Sequence, residues 1–549
     1  MKIKKYLNFW NIVSLVSLAL LFLFLIYPSF SLVSQSFVSS TTGKLTLENY
    51  VDFFSLPYYF NALKHSLAVC FATTFFATLI GIPIAYFMSR TNIYFKGFLD
   101  LVIMISLLSP PFIGAYSWIL LLGRNGWITN LLSPFGIIMP TIYGFTGIVI
   151  VFTLKFFPYV YIYTSGALNS IDASLEEASE NLGMNRIQRL FTVTFPLVMP
   201  SITAGALMVF MTSLADFGTP MLIGEGYKVL PVMIYDEFMS EMGGDATVAS
   251  TLSVVVVACS TMVLFIQKYF ISRKSYKMNA LRPPKTAILK TKGRILATIF
   301  VGVVSFIAFL PQIVVIYTSF LKTRGPLFIS GFSLDSYYNI MSKLSSNIYN
   351  TFLYSIISIL IMLLLGLVLS YIIFKKKNRL APILDILIMF PYVIPGSVLG
   401  IGLLVCFNKR PLLLSGTGFI LIVSYVVRKL AYTVRSGTAI LHQIDPSIEE
   451  ASINLGVSPM KTFFKVTALM MGPGIFSGLI LSWISTINEL SSSIILYTGK
   501  TGTIAVAIYT EVVRDSFGSA AALSTILTII SIVSILVFKF FSRGSKLNI

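Results

Sequence analysis

Apolar stretches of about 20 residues recur along the whole chain, and they constrain its fold more than any other feature. At 1.5 Å per residue, a helix of that length crosses roughly 30 Å of hydrocarbon. We count about six such stretches in each half, or about twelve in all. Hydrophobic residues make up 56% of the chain and charged residues only 11%, far from the composition of a soluble domain. The sequence therefore predicts an all-α polytopic membrane protein.

The basic residues cluster in short loops, which decides how the net charge of +19 is interpreted. They precede the first stretch, follow the second stretch of each half, fill a central segment and end the chain; the clearest are Lys2, Lys4, Lys5, Arg90, Lys96, Lys375, Lys376, Lys377 and Arg379. By the positive-inside rule, both termini and the central segment are expected in the cytoplasm. Anionic lipid headgroups, and not a nucleic acid, are the expected partners of this charge.

The first apolar stretch, from Trp10 to Val33, is expected to remain in the mature protein. It is too long for the apolar region of a signal peptide and lacks a small-x-small cleavage site. The three cysteines, Cys70, Cys259 and Cys406, lie in apolar stretches without a CxxC pair. Neither a disulfide nor a structural metal site is therefore predicted.

An internal repeat joins the two halves. The stretch IDASLEEASENLG ends at Gly183, and IDPSIEEASINLG ends 273 positions later at Gly456. LDLVIM, from Leu99, recurs as LDILIM from Leu384. Because each copy holds an even number of spans, the copies share one orientation and form a parallel repeat.

The repeat sets the expected domain boundaries. Residues 1–273 form a first domain of about six spans, and residues 293–549 form a second. Residues 274–292 form a basic, proline-containing linker with no sign of a soluble domain.

The repeated acidic segment lies between the fourth and fifth spans of each half, on the side predicted to be cytoplasmic. It has the pattern of a short amphipathic helix, a break at Gly183, and a second helical piece that leads to Pro196 and Pro200. One interpretation is a helix that lies on lipid headgroups. The presence of two copies, with acids that headgroups repel, favours a docking element for a cytosolic protein.

These residues carry a resemblance to a known family. Glu177-Ala178-Ser179, followed by three residues and Gly183, is similar to the EAA loop of ATP-binding-cassette importer permeases of type I. Glu450-Ala451-Ser452 with Gly456 repeats it. The resemblance implies two fused permease domains, with EAA loops at residues 168–200 and 441–473, each bound by an ATPase subunit. The coupling residues that it implies are Glu176, Glu177, Ala178, Gly183, Glu449, Glu450, Ala451 and Gly456.

The second loop departs from the family pattern, because Ala468-Leu469 stands where the first loop has Phe195-Pro196. The shape of the segment after Gly456 is therefore left open.

The chain lacks a nucleotide site of its own. The GKT at Lys500 has Ile494 in place of the leading glycine of a GxxxxGKT loop and no strand-to-helix context. His65 and His442 lie in different halves, and no nucleophile-base pair is evident. We therefore predict a transporter subunit, not an enzyme, without a cofactor. The resemblance implies a separate cytosolic ATPase, expected as a homodimer, and an extracytoplasmic substrate-binding protein in a bacterial inner membrane.

Four charged residues lie at matched positions within the spans. Asp216 and Glu489 each follow their motif glycine by 33 positions, and Lys155 and Arg428 each precede it by 28. Acids inside a membrane are functional candidates because an unpaired buried charge is costly. One interpretation is that the two acids line a translocation pathway. The other is that they lie in water at the outer end of the fifth span. The basic pair neutralises the acids, contacts an anionic substrate group or snorkels inward; we favour internal pairing.

The sequence around the acids, SLADFGTPMLIGEGYKVLPVMIYDEF and INELSSSIILYTGKTGTIAVAIYTEV, resembles the fused permeases of ferric-iron importers. Relatives of that branch move thiamine, polyamines or 2-aminoethylphosphonate, and these remain alternatives. Iron(III) suits carboxylate and phenolate oxygens, and Tyr227, Tyr235 and Tyr509 lie nearby in sequence. A secondary transporter is the alternative from another class, but it would have no use for a duplicated docking helix.

Overall fold

The structure is a computed structural model that describes residues 9–40, 42–107, 110, 112–137, 141–239, 244–272, 286–325, 327–376, 379–392 and 394–542. The predictions for the basic N-terminal residues, Lys377, the basic tail and most of the linker fall outside the described residues.

Long apolar helices dominate the described residues. Nine are long and apolar enough to cross a membrane: Phe9–Ser36, Pro57–Arg90, Phe145–Asn169, Arg186–Ala215, Ala246–Gln267, Thr291–Ser319, Ser345–Lys376, Pro459–Ile487 and Phe517–Val537. The third span of each half is divided into two shorter helices, Lys96–Leu107 with Ile113–Leu122 and Ala381–Met389 with Gly396–Cys406. A further helix of 24 residues, Gly418–Leu441, contains several cations. Together these elements account for the predicted twelve or so spans.

The chain forms two compact units, and each unit takes one helix from the other half of the sequence. The first unit comprises Leu47–Gly244 and Leu252–Thr318; the second comprises Met1–Thr46, Asp245–Thr251 and Ser319–Asn548. The first span of the sequence therefore packs in the second unit, and the helix Thr291–Ser319 packs almost entirely in the first.

Shorter elements connect the spans of the first unit. They are the α-helices Glu48–Ser55, Trp127–Leu132, Ala173–Asn181, Arg186–Arg189, Gly218–Ile223 and Leu230–Met239, a 3₁₀ turn Ser133–Phe135 and a π-helical turn Leu190–Thr194. The helix Phe195–Ala215 completes the fifth span.

The second unit repeats this plan. Its shorter elements are the helices Asp335–Lys343, Pro446–Asn454, Pro459–Thr462, Ser493–Leu496 and Ile504–Val513, a 3₁₀ turn Phe390–Tyr392, and the π-helical turns Phe22–Ile26, Ile372–Lys376 and Phe463–Thr467. Strands Leu321–Arg324 and Leu327–Phe332 form an antiparallel hairpin, a small departure from the all-helical expectation. Ala468–Ile487 completes the fifth span.

The fourth span lies at the centre of each unit because small residues on its neighbours admit it closely. In the first unit, a Cβ added at Gly81 would lie 2.8 Å from Val160 Cβ, and one at Gly205 would lie 2.9 Å from Val160 Cα. In the second unit, Thr433 occupies the place of Val160, 273 positions later, and packs on Gly478. Such close backbone approach stabilises helix pairs in lipid by van der Waals contact.

The segment after the fifth span is largely buried. Pro231, Val232, Met233 and Ile234 have little exposure in the helix Leu230–Met239. The apolar run VLPVMI accounts for this burial.

Candidate coupling site and intramembrane charges

The first acidic segment forms the helix Ala173–Asn181, capped at both ends. Asp172 Oδ1 accepts a hydrogen bond from Ser174 N at 2.9 Å, which satisfies a backbone donor at the helix N-terminus. Gly183 has a φ of +80°, and the N–H groups of Gly183 and Met184 return to the carbonyls of Glu180 and Ser179. This is a Schellman ending, which requires the left-handed conformation that glycine adopts readily.

The second acidic segment forms the helix Pro446–Asn454 with the same caps. Asp445 accepts hydrogen bonds from the Ser447 backbone N–H and hydroxyl, and they hold the pKa of its carboxyl below the ordinary value. Gly456 has a φ of +84°, and the N–H of Val457 returns to the carbonyl of Ser452. We call the two helices the EAA helices.

The first acid of each EAA helix is held within its own unit. Glu176 Oε1 lies 3.0 Å from Arg90 Nη2 in the last turn of the second span. Glu449 Oε2 lies 2.9 Å from Lys375 Nζ, and the Tyr371 hydroxyl donates to Glu449 Oε1. Glu176 and Glu449 are thus turned toward the membrane-spanning helices.

An exposed leucine is the C-cap residue of each EAA helix. Leu182 is 78% exposed and Leu455 is 85% exposed, each directly before its motif glycine. Ala178, Ala451 and Glu450 are also exposed, whereas Glu177 is half-buried. An exposed apolar face rimmed by charges is typical of a protein-binding surface.

The segments after the motif glycines have one shape despite their different sequences. A four-residue helix, Arg186–Arg189 or Pro459–Thr462, leads into a five-residue π-helical turn. The fifth helix then begins at Phe195 in one copy and Ala468 in the other. Replacing Phe195-Pro196 with Ala468-Leu469 therefore leaves the path of the chain unchanged.

The matched intramembrane charges are paired inside each unit, as the spacing favoured. Lys155 Nζ lies 2.9 Å from Asp216 Oδ2. Glu489 pairs with Arg428 and also with Lys429, whose Nζ lies 2.8 Å from Glu489 Oε2. The acidic side chains are only 13% and 5% exposed.

Each acid also caps the backbone that follows it. Asp216 Oδ1 accepts from Thr219 N at 3.0 Å, and Glu489 Oε1 accepts from Ser492 N at 3.2 Å. The two carboxylates therefore fix the turn after the fifth span as well as neutralising a cation.

Sequence reasoning missed three cations at these sites. Lys429 has Phe156 at the matched position, so the comparison of halves does not reveal it. Arg90 and Lys375 were counted only as basic residues near the membrane surface. Their signal was present, since each lies nine positions before the repeated LD dipeptide at Leu99 or Leu384.

The remaining charged and metal-binding side chains form small local contacts. His65 Nδ1 lies 3.0 Å from the Lys228 carbonyl, and its ring stacks on Tyr227. Lys228 pairs with Asp236 at 2.8 Å, and this hydrogen bond raises the pKa of the lysine. Within the part of the chain that the structure describes, no three His, Cys, Asp or Glu residues come together at metal-binding distances.

Comparison with known proteins decides what kind of molecule carries these two sites. The family described as binding-protein-dependent transport system inner membrane component matches residues 77–276 and again residues 362–546. Together the two matches cover well over half of the chain and include both EAA helices. The chain belongs to this family. It is therefore a permease component, built as two fused copies, of an ABC importer of the inner membrane.

Relatives match nearly the full length of this permease. The ferric transport system permease protein FbpB of Actinobacillus pleuropneumoniae is 29% identical over 535 residues, which cover 94% of this chain and 76% of the relative. The putative ferric transport system permease protein FbpB 1 of Haemophilus influenzae is 29% identical over 497 residues. That match covers 88% of this chain and 77% of the relative. The spermidine/putrescine transport system permease protein PotB of Haemophilus influenzae is 28% identical over 269 residues, which cover 47% of this chain and 93% of the relative.

Membership of the family fixes the partners in outline. A binding-protein-dependent permease works with a substrate-binding protein and with an ATPase on a separate subunit. The permease itself is not an enzyme.

Proposed function

We propose that this permease moves ferric iron, delivered by an extracytoplasmic binding protein, across the inner membrane. The observation that carries the proposal is the match of both halves to relatives named as ferric transport permeases, over 94% and 88% of the chain. The polyamine relative is matched over 93% of its own length, which corresponds to 47% of this chain. Iron(III) is a hard cation that oxygen ligands bind well.

The test is ATP hydrolysis by the assembled transporter in proteoliposomes. Binding protein loaded with ferric iron, thiamine, a polyamine or 2-aminoethylphosphonate is added in turn. We expect stimulation by the ferric form, together with uptake of ⁵⁵Fe. Stimulation by one of the other loaded proteins, with none by ferric iron, would replace the substrate and leave the transport class intact.

In this proposal, the ATPase binds the permease at the two EAA helices. Their exposed residues Leu182 and Leu455, with Glu450 alongside the second, support this role. Because the two surfaces are near-copies, a homodimer of one ATPase can serve both. Both EAA helices, both termini and the linker then lie in the cytoplasm, and the basic loops face anionic lipid.

We propose that the matched intramembrane charges lie beside the translocation pathway and that their ion pairs hold together the helices that line it. These residues are Asp216, Glu489, Lys155 and Arg428. Their repetition in both units and their burial support this role. Replacing Asp216 by Asn together with Glu489 by Gln is expected to lower transport. Unchanged iron uptake, with normal docking of the binding protein, would exclude a pathway role.

A further inference from the structure

Each EAA helix is tied to the second span by an ion pair that the family comparison does not assign. In the first unit the pair is bidentate, since Arg90 Nη1 also reaches Glu176 Oε2 at 3.3 Å. The Arg90 side chain is only 5% exposed. In the second unit, Lys375 and Tyr371 hold both oxygens of Glu449. A basic residue and a tyrosine four positions before it thus recur, as Tyr86 and Arg90 or Tyr371 and Lys375.

Apolar packing contributes little to holding the EAA helices. Only Ala173 and Ser179 are buried in the first helix, and no residue is buried in the second. A nine-residue helix is also too short to be stable alone in water. The chain itself connects each EAA helix to the fourth and fifth spans. The ion pair is therefore a principal further attachment, and it connects the EAA helix to the second span.

The end of the second span is itself braced in the first unit. The Ala287 N–H donates to the Arg90 carbonyl at 2.8 Å, and the Leu289 N–H donates to Asn92 Oδ1 at 2.9 Å. Arg90, Glu176 and the segment 286–288 line one cavity of about 540 Å³ beside the EAA helix. The end of the second span is therefore joined both to Glu176 and to the segment 286–289.

We propose that Arg90–Glu176 and Lys375–Glu449 are positioning pairs that make the second span of each unit move with its EAA helix. The first acid of each EAA helix, Glu176 or Glu449, then serves as an internal clamp, and ATPase binding is left to the exposed face. This inference rests on the proposed function, because it assigns how the ATPase movement reaches the membrane-spanning helices.

The test compares transport with ATP hydrolysis in proteoliposomes. For Glu176→Gln and Glu449→Gln, we expect the ATPase to co-purify and to hydrolyse ATP at near the normal rate, while substrate moved per ATP falls about tenfold. The exchanged pair, Arg90→Glu with Glu176→Arg, is expected to restore much of the ratio, and Arg90→Lys to keep it. Glu225→Gln is the matched control, because it breaks an ion pair with Arg124 that is exposed to solvent and lies outside the EAA helices.

Three results would overturn the inference. Loss of ATPase co-purification in Glu176→Gln would show that this acid binds the ATPase directly. A normal transport ratio in both glutamine variants would show that the pairs transmit nothing. Failure of the wild-type protein to bind an ATPase or transport at all would remove the proposed function, and this inference with it.

A cross-link gives a second measurement, in a variant that lacks both charges of the pair and is therefore expected to lose less stability than a variant that lacks one. Cysteines at positions 90 and 176, in a variant whose three native cysteines are replaced, are joined by a short bifunctional thiol reagent after assembly. A clamp that stays closed through the cycle predicts that the cross-linked protein still transports. A block of transport by the cross-link would mean that the pair opens during the cycle, against the proposal.

Discussion

At the scale of single residues, Glu489 differs from Asp216 in the number of cations with which it pairs. Asp216 neutralises one ammonium group, whereas Glu489 faces a guanidinium and an ammonium together. The second unit therefore keeps a surplus positive charge next to its carboxylate. Removing that carboxylate leaves two cations without their partner, so the two units are expected to respond unequally to the same kind of substitution.

We predict that Glu489→Gln lowers the free energy of unfolding more than Asp216→Asn does. Breaking a buried pair from one side costs about 3–5 kcal/mol, because it leaves a buried charge unpaired. Removing both partners, as in Lys155→Met with Asp216→Leu, is expected to cost much less than Asp216→Asn alone. Denaturant unfolding in detergent, followed by intrinsic fluorescence, measures all three.

The control for this prediction is the more exposed pair Lys228–Asp236. Breaking it with Asp236→Asn is expected to cost about 0–1 kcal/mol. A loss of stability in Asp216→Asn no larger than in this control would contradict the buried pairing.

Residue positions could be predicted only where the two halves repeat each other. Counting from Gly183 and Gly456 located Lys155, Asp216 and their counterparts, because a duplicated fold keeps its spacings. Lys429 could not be found in this way, since nothing in the first half corresponds to it. The pairing of Arg90 with Glu176 could not be predicted for another reason. The positive-inside rule already accounts for a cation at position 90, and the rotation of the helix, which the sequence does not give, decides the direction of its side chain.

At the scale of secondary-structure elements, the EAA helices depend on their C-terminal glycines. Gly183→Ala is expected to destabilise the first helix by about 1 kcal/mol, because an alanine resists the left-handed conformation at φ +80°. Hydrogen exchange of the amides of Ala173–Asn181 should accelerate several-fold. Gly166→Ala, in a helix and with open space around it, is the control and should be neutral or stabilising.

The exposed leucines give a second prediction at this scale. Leu182→Gln with Leu455→Gln is expected to weaken ATPase binding by about tenfold or more, because burying each leucine contributes roughly 1.5–3 kcal/mol. Titration of the ATPase onto the permease in nanodiscs measures the affinity. The matched variant with methionine at both positions keeps an apolar surface and should bind normally; equal binding by the glutamine variant would exclude this face.

The break within each third span is a feature that could not be predicted from the sequence. Hydropathy registers a third apolar region in each half but not a break, since the hydropathy of Gly396–Cys406 is as high as that of an unbroken span. In the second copy Pro395 is the N-cap of the helix Gly396–Cys406, and a proline has no N–H with which to continue a helix from the residues before it. Twelve spans could therefore be counted, whereas their interruptions could not.

At the scale of the whole molecule, the basic loops predict the sidedness of the permease, which can be measured directly. We expect a cysteine at Ser458, in the second EAA loop, to react with an impermeant maleimide only from the cytoplasmic side. A cysteine at Lys44 should react only from outside; both residues are exposed. Labelling of Ser458→Cys from outside the cell would place the EAA helices beyond reach of a cytosolic ATPase.

The composition of the two units could not be read from the repeat. Sequence similarity assigns each first span to its own half, yet Phe9–Ser36 packs in the second unit. An apolar helix carries little information about its neighbour, because lipid and protein offer it equally apolar surroundings. The repeat therefore predicted the number and order of spans correctly without revealing which spans pack together.

The π-helical turns Leu190–Thr194 and Phe463–Thr467 lie at matched places before the two fifth helices. A π turn holds one residue more than α-helical winding requires, and it takes up that residue locally. Deleting Phe191 would therefore restore ordinary winding and leave the helix beyond it at nearly the same rotation, with Asp216 still facing Lys155. Deleting a residue from the α-helical stretch Phe195–Ala215 would instead rotate Asp216 by about 100°, so each turn can absorb a change of one residue near one surface without redirecting a carboxylate at the far end of the helix.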